Sequence, residues 1–285
     1  MCDELSFSDR TGAVSRRDFA LLGAAMAVAA CSGRDAAARG PSLSEAMVSI
    51  PTPDGTADAF FVHPAEGIHP AIVMWPDIAG LREANKAMAR RLAAAGYAVL
   101  AVNQYYRSAR APVLASFAEW RTDAGQAKLK PMIAAITPEG AVRDASAFVA
   151  WLDRQGAVDT KRGIGADGFC MGGPFAVRTA FAAPQRVRAV ASLHGAGLVS
   201  DGPDSPHRLL AKTQARYLFA IARNDDARAP GDKEALKVAA AAAGRPAEIE
   251  VYQGDHGWTV PDSPVYAPAE ADRAFARMLA LFATL

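Results

Sequence analysis

Short apolar segments alternate with segments of helical periodicity along most of this chain, and this alternation restricts the fold more than any other feature. Strands are predicted at 59–64, 71–76, 97–103, 162–168, 187–195, 216–222 and 248–254. Helices are predicted at 82–96, 139–155, 171–183, 233–244 and 268–285. Strands separated by helices usually pair in parallel, with helices on both faces of the sheet. We therefore expect an α/β fold with a mostly parallel central sheet. Residues 107–138 fit the alternation least and are expected to be an insertion over the functional site.

The charge balance excludes some classes of partner. The chain has 31 basic and 30 acidic side chains, and no segment concentrates the basic ones. Binding to a polyanion requires a basic stripe, so a nucleic-acid partner is not expected. The apolar fraction of 51% and the length of 285 residues are sufficient for one large core.

The amino-terminal segment resembles an export signal. Arg16 and Arg17 precede an apolar stretch from Phe19 to Ala30. That stretch is shorter than the roughly 20 residues of a membrane-spanning helix, but it suits a signal peptide. Paired arginines before it indicate the twin-arginine export route of bacteria, with a periplasmic destination. We assign residues 1–40 to a signal and linker, and residues 41–285 to a single domain.

Cysteine usage adds two expectations. Cys31 follows small residues in "VAAC", which resembles a bacterial lipobox, so a lipid anchor on Cys31 is one reading and signal cleavage nearby is the other. Cys2 and Cys31 both lie in the signal segment, so Cys170 is the one cysteine of the domain. A single thiol allows neither an intramolecular disulfide nor a cysteine-based metal cluster there.

Cys170 lies in a pattern typical of a nucleophile. In "GADGFCMGG" it is flanked by Gly168 and Gly172, where a predicted strand gives way to a helix. A sharp strand-to-helix turn needs small residues at those positions, and it lifts the side chain into the cleft. The turn also directs the amide of Met171 towards a developing oxyanion. The alternative is a small buried cysteine in a helix–sheet contact.

A thiol nucleophile needs a base and an acid that orients the base. His256 follows the last predicted strand, and Asp225 and Asp226 follow the one before it. The order nucleophile, acid, histidine is that of hydrolases with such a sheet. Position alone does not separate the two aspartates. His194 also follows a strand, where it either lines the pocket or is a hydrogen-bonded strand-end residue.

The segments "PDIAGLREANKAMARRLAAAGYAVLAVNQYYR", "GFCMGG" and "HGW" resemble the dienelactone hydrolase family of α/β-hydrolases over residues 45–285. The resemblance implies the α/β-hydrolase fold and a Cys–Asp–His triad. It implies that the Ile78 amide completes the oxyanion hole, that Asp77 contacts the nucleophile, and that Arg107 holds a substrate carboxylate. Because the acid in this family is often followed by proline four positions on, the resemblance favours Asp226, which precedes Pro230 at that spacing.

Together these features predict a hydrolase that cleaves an ester or lactone, with a small molecule as substrate and no metal or cofactor. The alternative is a non-catalytic ligand-binding protein on the same fold, since fold alone does not determine function. The sequence indicates no oligomeric state.

Overall fold

Eight strands form the central sheet in a computed structural model that describes residues 40–285. They are β1 (Leu43–Thr52), β2 (Gly55–Pro64), β3 (Ala71–Trp75), β4 (Ala98–Val102), β5 (Ile164–Phe169), β6 (Val187–Leu193), β7 (Arg216–Ala222) and β8 (Ala247–Tyr252). Their order is β1-β2-β4-β3-β5-β6-β7-β8. β1 and β2 pair antiparallel, as do β2 and β4, whereas the pairs from β4 to β8 are parallel. The predicted mostly parallel sheet is confirmed.

The nine α-helices in residues 40–285 include the five that were predicted. They are α1 (Glu83–Ala94), α2 (Phe117–Trp120), α3 (Asp123–Ala134), α4 (Pro138–Leu152), α5 (Gly172–Ala182), α6 (Pro206–Leu209), α7 (Arg223–Arg228), α8 (Gly231–Ala242) and α9 (Pro268–Phe282). The start of α4 shows a local cause: the Thr137 hydroxyl accepts from the Gly140 amide at 3.0 Å, and Pro138 occupies the first turn. None of the helices described is long and apolar enough to cross a bilayer.

Side chains of each strand alternate between two helical layers, because successive residues of a strand point to opposite faces. In β3, Val73 and Trp75 belong to one buried cluster, together with residues of α4, α5 and α8. Ile72 and Met74 belong to the other, together with residues of α1 and α9. The prediction of helices on both faces is therefore confirmed.

β1 was not predicted. It lies at the edge of the sheet and pairs with β2 alone. Most of its residues are exposed or half-buried, and Ile50 is the buried one. A strand of this kind lacks the apolar pattern by which the other strands were found.

The carboxyl ends of the parallel strands position the candidate site. Because parallel strands end at the same edge of a sheet, the segments after β3, β5, β7 and β8 meet there. These segments carry Ile78, Cys170, Asp225 and His256. The residues Leu43–Leu285 form one compact unit.

Candidate active site

Cys170 lies in a strained turn between β5 and α5. Its φ of 53° is in the left-handed region, which side chains other than glycine rarely adopt. A Cβ on Gly168 would lie 2.0 Å from the carbonyl oxygen of Gly172. A Cβ on Gly172 would lie 2.3 Å from the carbonyl oxygen of Trp75. Both glycines are therefore sterically required, and the turn leaves Cys170 half-buried rather than enclosed in the core.

His256 connects Cys170 to an aspartate. Its Nδ1 lies 2.6 Å from Oδ2 of Asp225. The Cys170 side chain is near enough to His256 to influence its protonation. Its backbone amide donates to Oδ1 of Asn224 at 2.8 Å. Burial lowers the pKa of His256, but the hydrogen bonds and negative charges of Asp225 and Cys170 outweigh it and raise the pKa to about 10. The imidazole is therefore protonated at neutral pH in this arrangement.

The preference for Asp226 is wrong in this geometry. Oδ2 of Asp226 accepts from Nζ of Lys233 at 3.0 Å, and no hydrogen bond joins Asp226 to His256 within residues 40–285. Both aspartates lie in α7, where successive side chains point about 100° apart. One of them can therefore face His256, and it is Asp225. Asp225 also pairs with Arg228 through its other oxygen.

Two backbone amides near Cys170 have no hydrogen-bond partner in residues 40–285: that of Met171, in the turn, and that of Ile78, in the loop after β3. The Cys170 carbonyl accepts from the amides of Gly173 and Ala196, each at 3.1 Å. In a trans peptide the N–H points opposite to the C=O, so the Met171 N–H faces away from those donors. Neither the Met171 nor the Ile78 N–H has a hydrogen-bond partner in the part of the chain described. Two such donors beside a nucleophile suit a developing oxyanion.

Tyr105, which was not predicted, bridges the two sides of this amide pair. Its hydroxyl donates to the Ile78 carbonyl at 2.7 Å and lies 3.3 Å from Sδ of Met171. Burial, with the nearby charges of Asp77 and Cys170, raises the pKa of Tyr105, so the hydroxyl remains a donor. Because Tyr105 is an ordinary aromatic residue after a strand, its sequence position gave no signal.

The insertion predicted at 107–138 contains α2 and α3. Its Leu129 belongs to a small buried apolar cluster with Tyr105, and Phe117 and Met171 pack against that cluster. The insertion therefore covers one side of the amide pair, as expected.

His194 is buried beneath the nucleophile turn, which agrees with the second of its two predicted roles, a hydrogen-bonded residue at a strand end, and not with a residue that lines the pocket. It is 1% exposed, and its Nδ1 accepts from the Cys170 amide at 3.1 Å. Nε2 therefore carries the proton and donates to Oγ1 of Thr259 at 2.8 Å. Burial, together with the charge of His256, holds the pKa of His194 well below its usual range. Neutral His194 thus helps to hold the backbone of Cys170 in place by accepting a hydrogen bond from its amide.

Asp77 binds Arg82 rather than the nucleophile, which corrects a second expectation. Oδ1 of Asp77 accepts from Nη1 of Arg82 at 2.9 Å and from the Ala79 amide at 2.8 Å. Oδ2 of Asp77 accepts from Nη2 of Arg82 at 3.0 Å. With its oxygens engaged in this way, Asp77 makes no hydrogen bond to Cys170 within residues 40–285.

Arg82 joins three segments around the site. Besides Asp77, it donates to Asp262 at 2.6 and 2.8 Å, and Asp262 in turn accepts from the Phe117 amide at 2.9 Å. Burial lowers the pKa of Arg82, but hydrogen bonds to Asp262 and Asp77 outweigh it and raise the pKa. The buried guanidinium therefore remains charged and fastens the Ile78 loop to the loop after His256 and to the insertion.

Arg107 is paired with carboxylates of the protein itself, so the expectation that it holds a substrate carboxylate is wrong. Its Nη1 donates to Asp144 at 2.7 Å, and its Nη2 donates to Asp144 at 2.8 Å and to Asp54 at 2.6 Å. The guanidinium also stacks on the Tyr106 ring at 4.6 Å. Two carboxylates already compensate its charge, which gives Arg107 a structural role.

We expect Arg107→Met to lower the free energy of unfolding by about 3 kcal/mol, because it leaves the Asp144 carboxylate buried without its partner. The Asp144 side chain is 3% exposed. Urea denaturation measures the change. Arg277→Met is the matched control, since Arg277 pairs with Glu248 at an exposed position and its loss should matter far less. Equal effects of the two substitutions would contradict this role of Arg107.

The sequence of this chain is similar to that of known proteins. A family model described as "Dienelactone hydrolase family" matches residues 57–285. Two proteins named "Putative carboxymethylenebutenolidase" are similar. The one from Salmonella typhi is 27% identical over 249 residues, covering 85% of this chain and 88% of its own. The one from Methylorubrum extorquens is 29% identical over 237 residues, covering 81% and 78%.

A solved structure shares the fold. The crystal structure of a "Putative Dienelactone Hydrolase" from Klebsiella pneumoniae superposes with a TM-score of 0.74 at 23% identity. The match covers 86% of this chain and 100% of the other. The likeness shows the α/β-hydrolase fold.

Proposed function

Because this chain belongs to the dienelactone hydrolase family, we propose that it hydrolyses an ester or lactone with Cys170 as nucleophile. The observation that carries the proposal is the 2.6 Å contact of His256 with Asp225 near Cys170, together with two backbone amides that have no partner in residues 40–285. A nucleophile, a base oriented by an acid, and donors for an oxyanion are the parts that acyl transfer needs.

In the first half-reaction, the Cys170 thiolate attacks the substrate carbonyl carbon, and a carbon–sulfur bond forms. The electrons of the C=O bond move to the oxygen, which accepts hydrogen bonds from the Ile78 and Met171 amides. The tetrahedral intermediate collapses and expels the alkoxide, which takes the proton of His256. Asp225 stabilises the protonated imidazole before this transfer and holds it in the orientation that the transfer requires.

In the second half-reaction, water attacks the thioester carbonyl while neutral His256 accepts one of its protons. The same two amides hold the second oxyanion. The carbon–sulfur bond breaks, the acid product leaves, and the Cys170 thiolate returns beside protonated His256. Each proton taken up is thus returned within the cycle, and a thioester is reactive enough to hydrolyse.

The proposed substrate is a small ester or lactone. A butenolide is an unsaturated lactone, and the name of the Salmonella and Methylorubrum relatives refers to one. Because Arg107 and Arg82 are both paired to carboxylates, neither offers a free charge to an acidic group of the substrate. Neutral lactones and esters are therefore the first compounds to test.

The test is hydrolysis of p-nitrophenyl esters and simple lactones by the full-length protein and by Cys170→Ala. We expect wild-type turnover, and a loss of at least about 10³-fold in kcat in the variant, because the nucleophile is removed. The rival account is a non-catalytic binding protein on this fold. Wild-type protein that binds a lactone but turns none over, or turnover that Cys170→Ala retains, would support the rival.

We further propose that residues 1–40 direct export by the twin-arginine route and that Cys31 carries a lipid anchor in the periplasm. The paired arginines, the apolar stretch and Cys31, on which this proposal rests, all lie outside the residues that the structure describes. Changing Arg16 and Arg17 to lysine should retain the protein inside the cell. Changing Cys31 to alanine should release it from the membrane fraction. Unchanged fractionation in either variant would contradict the corresponding half of the proposal.

A further inference from the structure

The Ile78 amide is correctly aimed only if the peptide that contains it is fixed. That peptide joins Asp77 to Ile78, so its carbonyl belongs to Asp77 and its N–H to Ile78. A trans peptide is planar, and its C=O and N–H point in opposite directions. Whatever holds the Asp77 carbonyl therefore sets the direction of the Ile78 N–H.

Gln104 holds that carbonyl. Its Nε2 donates to the Asp77 carbonyl at 2.7 Å and lies 3.4 Å from the Pro76 carbonyl. Since both neighbours are acceptors, the NH2 end of the side chain must face them. The residue is 2% exposed, and its Oε1 has no hydrogen-bond partner in residues 40–285. In the part of the chain described, the Gln104 side chain therefore makes hydrogen bonds only to the loop that contains Pro76 and Asp77.

One other donor reaches the same carbonyl. The Gly80 amide lies 3.0 Å from the Asp77 oxygen, within the turn that follows the loop. Gly80 is part of the loop itself, so its bond moves with the loop. Gln104 follows β4, a strand of the central sheet, and ties the peptide to that rigid element. Loss of Gln104 would leave the peptide held by its own turn.

We propose that Gln104 is a positioning residue of the oxyanion hole, which aims the Ile78 N–H by holding the carbonyl of the same peptide. This inference rests on the proposed function. Gln104 touches no reacting atom. It acts on the stability of the tetrahedral oxyanion and leaves the reactivity of the Cys170 thiol unchanged.

The stability of the oxyanion and the reactivity of the Cys170 thiol can be measured separately in the full-length protein. Iodoacetamide alkylates a thiolate without forming an oxyanion, so its rate at Cys170 reports the thiol alone. An aldehyde such as butanal adds reversibly to the thiol: the carbon–sulfur bond forms, and the former carbonyl oxygen occupies the oxyanion hole. Protection of Cys170 from iodoacetamide by butanal gives the aldehyde affinity without any turnover. Trypsin cleaves after Arg162 and after Arg178 and so releases the peptide 163–178. This peptide contains Cys170 and neither of the other two cysteines, so it reports the state of Cys170 alone.

We expect Gln104→Met, which keeps the length and loses the donor, to weaken aldehyde binding by about 10- to 100-fold. The kcat for p-nitrophenyl acetate should fall by a similar factor, with KM and the alkylation rate within about threefold of wild type. Gln155→Met is the matched control, since Nε2 of Gln155 also donates to a carbonyl, that of Trp151 at 2.9 Å, but in α4. If Gln104→Met does not fold, Gln104→Leu, which also lacks the donor, replaces it.

Aldehyde affinity that is unchanged in a folded Gln104 variant would overturn the inference. So would an alkylation rate that falls in parallel, because Gln104 would then support the thiol or the fold in general. Failure of the proposed function looks different: wild type would turn over no ester, while the aldehyde measurement would still compare Gln104→Met with wild type.

Discussion

Exchanging Asp225 for asparagine is expected to lower kcat for ester hydrolysis by on the order of 10³-fold, whereas Asp226→Asn stays within about threefold of wild type. Asp225 accepts the Nδ1 proton of His256 at 2.6 Å, and Asp226 is paired with Lys233. An asparagine amide at position 225 neither stabilises the imidazolium nor fixes its tautomer. The two exchanges are chemically identical and one residue apart, so each serves as the control for the other.

A second readout distinguishes an orienting role from a loss of folding. Asp225 and Cys170 together raise the pKa of His256 to about 10, and Asp225→Asn removes one of the two. The pKa of His256, followed by NMR titration, should therefore fall in Asp225→Asn and stay unchanged in Asp226→Asn. A loss of activity at Asp226 instead, or a His256 pKa that does not respond to Asp225, would contradict the assignment.

Exchanging Asp167 for asparagine is expected to stabilise the protein, by an amount that increases as pH rises above the usual pKa of an aspartate. Asp167 lies in β5, is 0% exposed, and neither carboxyl oxygen has a hydrogen-bond partner in residues 40–285. Burial raises the pKa of Asp167 well above its usual range. At pH values between the unfolded and the folded pKa, the folded protein therefore retains a proton that the unfolded chain releases.

The sign of the pH dependence follows from that difference. Above the unfolded pKa, near 3.8, the folded state binds more protons than the unfolded state. The free energy of unfolding then decreases as pH rises, by about 1.4 kcal/mol per pH unit, until the folded pKa is reached. Asparagine does not titrate and has nearly the same shape, so the stability gain of Asp167→Asn should grow as pH rises.

Urea denaturation at about pH 5 and about pH 8 measures this gain, and it should be larger at the higher pH. Asp201→Asn, at an exposed position, is the control, and its stability should differ from that of wild type by the same amount at both pH values. A gain for Asp167→Asn that is the same at both pH values would show that the carboxyl does not titrate on folding. A loss of stability would show that Asp167 has a partner in solution.

The sequence predicted seven of the eight strands and five of the nine helices in residues 40–285, because these elements show local apolar periodicity. It also placed Cys170, the aspartate pair and His256 at the strand ends, since the connection between strand end and cleft is general to parallel sheets. The choice between Asp225 and Asp226 depends on how α7 is rotated about its own axis, and the spacing of residues in the sequence does not determine that rotation.

The expectations for Asp77 and Arg107 were wrong because both side chains are engaged in ion pairs of the protein, some of which join distant parts of the chain. Arg82 and Asp262 are 180 residues apart, and Arg107 meets an aspartate 37 residues away. Whether an arginine faces solvent, substrate or a carboxylate depends on such pairings. Gln104 and Tyr105 were missed for the related reason that their partners are backbone carbonyls, which every sequence contains.

The most direct test of the account is to trap the acyl-enzyme. Full-length protein is mixed briefly with p-nitrophenyl acetate, quenched with acid, digested, and the peptide 163–178 is weighed by mass spectrometry. The account predicts one acetyl group on Cys170, which decays on the timescale of turnover and is absent from the peptide of Cys170→Ala. Turnover without any acyl group on Cys170, or an acetyl group that forms and never leaves, would contradict it.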